Sequence, residues 1–129
     1  MAEMVVTLDR GRRFVARVRG FQITSDQPAP AGADTAPTPA ELLIASLGTC
    51  IGVRVATFVE QNEIKHDGFQ VHLAWEREDD SSKIGAISVR IEIPGDVPEG
   101  LREPLRQAAK QCLVHQTLTQ TPEIKIEVG

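Results

Sequence analysis

Between Leu42 and Val53 the chain carries no charge, and its apolar residues keep to no single stripe. Leu42, Leu43, Ile44, Leu47, Ile51 and Val53 spread over more than one helical face. This stretch reads as the middle of one helix from Thr38 to Gln61. Thr38 can act as N-cap, Pro39 suits the first helical position, and Glu41 completes a T-x-x-E capping box. A helix of this kind must be covered on most sides. The flanking patterns differ. Val5, Val6 and Leu8, then Phe14, Val15, Ala16 and Val18, then Phe21 and Ile23 read as short strands, broken at Asp9-Arg10-Gly11 and at Gly20. Gln27 to Pro39 holds four prolines, which exclude helix and central strand and leave a loop. Loops of that length are often functional, so a cover over the helix and a simple crossover are both open.

Beyond the helix, Phe69, Val71, Leu73 and Trp75 alternate with polar or small residues, as do Ile87, Val89, Ile91 and Ile93. The charged turn Glu76 to Lys83 between them makes an antiparallel hairpin the simplest arrangement. From Val97 to Leu118, Leu101, Leu105, Ala108, Ala109, Cys112 and Leu113 recur at helical spacing, predicting one amphipathic helix with Cys112 near its end. Ile124, Ile126 and Val128 predict a closing strand. Strands, apolar helix, strand pair, helix and strand in that order give an α+β fold.

Composition narrows the function classes. The 129 residues suit a single domain spanning 1–129. About two thirds of the unfolded surface should be buried at this size, so neither a metal nor a disulfide is needed as a staple. Aromatics are only 4%, which leaves Val, Ile, Leu and Ala to fill the interior. A net charge of -4 argues against nucleic acid as main partner. The first residues lack the apolar core of a leader, and the uncharged run falls short of the roughly 20 residues that span a bilayer. The expectation is a soluble, cytoplasmic protein with no membrane partner and with thiols that are reduced or form a functional redox pair.

Few chemistries fit. His66, His72 and His115 share no metal-ligand spacing with the cysteines, and no phosphate loop, dinucleotide fingerprint or serine elbow is present. That leaves Cys50 and Cys112. Each can be an inert core residue, since free cysteine packs as a small hydrophobe. Arg54, four positions after Cys50, can share its helical face and favour the thiolate. Ser46, Gly48, Thr49 and Gly52 leave room for an approaching group. Gly48, Gly52 and Ala56 recur every four residues and make a groove for another helix, either from this chain or from a second copy in a symmetric homodimer. Arg10, Arg12, Arg13, Arg17 and Arg19 crowd the N-terminal strands, with Arg17 and Arg19 expected on one strand face. They form a solvated edge, or one of them reaches an anion or thiolate.

The segment PTPAELLIASLGTC and the later CLVHQTL leading into EIKIEV resemble the OsmC/Ohr family of thiol peroxidases, with the same element order along essentially the whole chain. The resemblance implies an OsmC-like fold in which antiparallel sheets wrap a long buried central helix in an intertwined homodimer. It implies that Cys50 attacks an organic hydroperoxide and becomes a sulfenic acid, and that Cys112 resolves it to a disulfide. An arginine, Arg12 or Arg54, would serve the thiolate, and a dithiol such as a lipoylated protein would reduce the disulfide, with no metal or organic cofactor. Ala40 stands where the hydroperoxide-resistance branch has a glutamate, and Leu113 where the family usually has proline. Both point to a general OsmC-like branch. The alternatives are a non-catalytic dimeric module that binds a small ligand, and a redox sensor of the same fold.

Overall fold

The computed structural model describes residues 2–95 and 97–129, which form two compact units, residues 1–45 and 46–129. In the first unit, strands β1 (Val5–Arg10), β2 (Arg13–Val18) and β3 (Phe21–Ser25) form an antiparallel sheet in the order β1-β2-β3. Val18 pairs with Phe21 across a two-residue turn in which Arg19 and Gly20 both have positive φ. That is the primed geometry that matches strand twist. Arg19 therefore sits in the turn and does not share a strand face with Arg17. Its guanidinium lies 5.2 Å from the Phe21 ring centre, a cation–π contact.

The proline-rich loop is closed on itself around Asp26, a nearly fully buried carboxylate. Asp26 accepts from the Thr35 hydroxyl (2.7 Å), the Thr35 N–H (3.1 Å) and the Gln27 N–H (2.8 Å). Its own N–H donates to Pro37 O at 3.1 Å, so the loop is pinched at both ends. Gly32 lies against this hub: a Cβ there would collide with Gln27 O and Asp26 Oδ1. Arg13 adds an outer strut, donating to Asp9 at 3.0 Å and to Thr35 Oγ1 at 2.6 Å. This bonding favours an anchored crossover over a loose cover. On one sheet face, Val6, Phe14, Ala16 and Ile23 line an apolar cavity of about 350 Å³ with Pro39 and Leu42.

Helix α1 (Pro39–Gln61) starts as its sequence predicts. Thr38 N–H donates to Glu41 Oε1 at 2.9 Å and Glu41 N–H to Thr38 Oγ1 at 3.2 Å, a closed capping box. In the second unit, residues 46–61 of this helix pack against the hairpin of β4 (Gln70–Arg77) and β5 (Ile84–Glu92) and against α2 (Glu99–Lys110). Leu47, Ile51, Val55 and Val59 recur every four residues and are buried with Leu105, Ala109 and Cys112. Gly48 is part of this packing, since a Cβ there would meet Leu73 Cδ1 at 2.7 Å.

Four sequence expectations change. The helix from Val97 to Leu118 is two helices, α2 and α3 (Leu113–Thr119), because the backbone turns extended at Cys112 and buries its side chain. The closing strand does not form: residues 121–129 have no partner strand among the described residues, and Ile126 is 88% exposed. The small-residue groove divides, with Gly48 against the chain's own sheet and Gly52 facing open space. The helix is also not covered all round, since Val53 is 66% exposed. The 23-residue helix α1 contains an 18-residue window of mean hydropathy 1.9, long and apolar enough to cross a membrane by those measures, which the uncharged run alone is not. Core helices of soluble proteins share these traits.

Asp26 gives the first unit an acid sensitivity of known sign. The Thr35 hydroxyl and the Gln27 N–H outweigh the opposing effect of burial and hold its carboxyl down at about 2. A depressed carboxylate stabilises the fold fully above its unfolded value of about 3.9 and loses that contribution as pH falls towards the folded value. Urea midpoints of wild type and Asp26→Asn should therefore differ at pH 6 and converge between about pH 4 and 2. An undiminished difference at the acid end would refute the role of the carboxylate.

Candidate functional site: a buried thiol pair

Cys50 lies one turn after Leu47 and beside Ile51, so the helix that buries those residues turns its sulfur partly inward. Cys112 reaches the same core from the break between α2 and α3. Gln111 ends α2, Gln116 Nε2 donates to Lys110 O at 2.9 Å, and Cys112 takes the extended backbone of an N-cap (φ −69°, ψ 134°). Its sulfur accepts the His115 N–H at 3.4 Å, the bond that a capping side chain makes. Cys112 is 0% exposed, and both cysteines are free thiols.

The two cysteines pack on one core and influence each other, and their surroundings drive them apart in acidity. Burial alone would raise Cys50. The hydrogen bond from Cys112, the backbone N–H groups of Val114 and Leu113, and the charge of Arg54 outweigh it, so the Cys50 thiol lies below its ordinary value. Cys112 moves the other way. Burial and its hydrogen bond to Cys50 hold it above the ordinary value, against the N–H groups of His115 and Val114. This separation suits consecutive roles, because the thiolate is the nucleophile and a protonated neighbour is the donor that steadies it.

The structure brings together three of the four site residues named from sequence: Cys50, Cys112 and, one helical turn from Cys50, Arg54. Arg12 belongs to the first unit. It is exposed in the turn between β1 and β2, where its Nη1 donates to Gly11 O at 3.4 Å, and it makes no ion pair among the described residues. The backbone donors Leu113, Val114 and His115 are missing from the sequence reading. A periodicity that runs through Cys112 hides the helix start that exposes those N–H groups. Among the described residues no group of His, Cys, Asp and Glu is arranged to hold a metal ion.

A family model described as OsmC-like protein matches residues 32–127, most of the chain and both cysteines. The chain belongs to the OsmC-like family. Its fold is that of other OsmC-like structures. An osmotic stress induced and detoxification response protein from Psychrobacter arcticus superposes with a TM-score of 0.81 at 20% identity, over 91% of this chain and 88% of that one. An OsmC like protein from Mycoplasma pneumoniae gives 0.78 at 19% identity, over 94% and 89%. An organic hydroperoxide resistance protein from Elizabethkingia anophelis gives 0.69 at 17%, over 94% and 89%. At these identities the likeness is one of fold. No curated protein sequence matches the chain. Arg12 lies before the OsmC-like match, whereas Cys50, Arg54 and Cys112 lie inside it.

Proposed function

We propose that this OsmC-like protein is a thiol peroxidase that reduces organic hydroperoxides in oxidative-stress defence. The observation that carries this reading is the packing on one core of Cys50, its thiol made more acidic, and of the buried Cys112, its thiol made less so. Family membership and a structural relative described as an organic hydroperoxide resistance protein support it.

The chemistry follows in balanced steps. The Cys50 thiolate attacks the outer peroxide oxygen, the O–O bond breaks, and the alcohol leaves with one proton. Arg54, one helical turn from Cys50, steadies the thiolate and polarises the peroxide. Cys50 then carries a sulfenic acid, which condenses with the Cys112 thiol to a disulfide and releases water. An external dithiol of the lipoyl class, attacking the disulfide, restores both thiols and is itself oxidised. The apolar residues around Cys50, among them Leu47 and Ile51, favour fatty or aromatic hydroperoxides over hydrogen peroxide.

A second copy completes this picture. The exposed Val53 and the open Gly52 leave part of α1 uncovered, and the tail keeps a strand's alternation in Ile124, Ile126 and Val128 with no neighbouring strand among the described residues. A symmetric homodimer covers both kinds of surface. A specific observation also favours a second reading. The apolar cavity lined by Val6, Phe14, Ala16 and Ile23 suits a dimeric module that binds a small apolar ligand, its cysteines only packed.

With dihydrolipoamide as reductant, wild type should consume cumene hydroperoxide catalytically. Cys50→Ser should fall to background, and Cys112→Ser should lose sustained turnover. Equal consumption by Cys50→Ser would end the peroxidase reading. Light scattering at micromolar concentration should give twice the 14.1 kDa chain mass. A single monomer mass would remove the dimer.

A further inference from the structure

Cys112 faces a proton problem that the resting pair conceals. Before oxidation Cys112 is a neighbour that favours the Cys50 thiolate. Once Cys50 carries a sulfenic acid, that thiolate is gone, and Cys112 must lose its proton to attack. Burial opposes this. Val71, Leu73, Ile87 and Ile91 from the sheet and Val114 from α3, which pack on this core, carry no titratable group. Arg54 has no lone pair to accept a proton.

His115 is differently placed. It is the third residue of α3, and Cys112 is the N-cap of that helix. Helical side chains lean towards the N-terminus, so a residue at this position lies back over the cap, as the glutamate of a capping box does. Its backbone N–H already holds the Cys112 sulfur at 3.4 Å. Its Nδ1 is shut off from solvent and has no hydrogen-bond partner among the described residues. Buried polar atoms are nearly always bonded, so an exception three residues from a reactive thiol, on the helix that thiol caps, has a use to be found. An imidazole nitrogen that makes no hydrogen bond keeps a lone pair to accept a proton when it is not itself protonated.

We infer that His115 takes the Cys112 thiol proton in the step that closes the Cys50–Cys112 disulfide. This rests on the peroxidase reading. The Cys112 S–H bond breaks, its proton passes to the imidazole, and its electron pair forms the S–S bond. The S–O bond of the sulfenic acid breaks, and the oxygen leaves as water with a proton returned from the imidazolium. His115 ends unchanged. On reduction the path reverses: Cys112 leaves as thiolate and is reprotonated from the same ring.

Rapid mixing with one equivalent of cumene hydroperoxide, with dimedone trapping of the sulfenic acid and mass analysis of the disulfide, separates the steps. His115→Gln keeps a residue favoured at this helical position. It should form the sulfenic acid at the wild-type rate and close the disulfide about a hundredfold more slowly. His115→Ala should behave alike, and added imidazole should restore its closure. Closure at the wild-type rate in both variants overturns the inference, as does slow closure in His115→Ala that imidazole leaves unchanged. If neither variant folds, the wild type decides. Closure should slow in heavy water relative to sulfenic acid formation, and equal rates in the two solvents overturn the inference. Wild type that forms neither sulfenic acid nor disulfide defeats the peroxidase reading itself, an outcome distinct from a sulfenic acid that closes without help from His115.

Discussion

The placing of Cys50 and Cys112 on one apolar core is the constraint on which the site depends. It exists because two unlike pieces of local structure end at one place. One is the continuous helix α1, whose row of Leu47, Ile51, Val55 and Val59 fixes its rotation and with it the direction of Cys50. The other is the interruption between α2 and α3, which makes Cys112 an N-cap and aims the first N–H groups of α3 at the pair. Helix starts leave such groups without intrahelical partners, and a sulfur carrying negative charge is a fitting acceptor for them. Had α2 continued through Cys112, those groups would be spent inside the helix.

The position of Leu113 takes on a meaning from this geometry. Its side chain is largely exposed, but its N–H donates towards Cys50. A proline at this position, as the wider family usually has, would fit the first helical turn and supply no such donor. The Leu113 N–H is one of the groups that lower the Cys50 thiol. Ala40 has a simpler account. The neighbouring Glu41 is engaged in the capping box with Thr38 and serves the helix start.

Much of this was legible in the sequence, because the features concerned are local. The capping box, the three N-terminal strands and the hairpin rest on neighbouring residues whose geometry admits few alternatives. The break at Cys112 was not legible: Ala108, Ala109, Cys112 and Leu113 keep helical spacing across it, and burial of one sulfur overrides the periodicity. The tail failed for the opposite reason. Ile124, Ile126 and Val128 do alternate as a strand should, but alternation specifies a face, and a strand also needs a neighbour. Of the site, Cys50, Cys112 and Arg54 could be named from residue type and spacing. The donors at the start of α3 could not, since backbone groups leave no mark in a sequence.

The central claim is that the surroundings make Cys50 the more acidic member of the pair and Cys112 the less acidic one. The most direct measurement is the pH dependence of iodoacetamide labelling at each cysteine, followed by peptide mass in wild type and Leu113→Pro. The account predicts that Cys50 labels first, with a profile displaced below that of an ordinary thiol and moved upward by the proline, while Cys112 stays protected. Parallel labelling of the two cysteines, with one profile that the proline leaves unmoved, would contradict it.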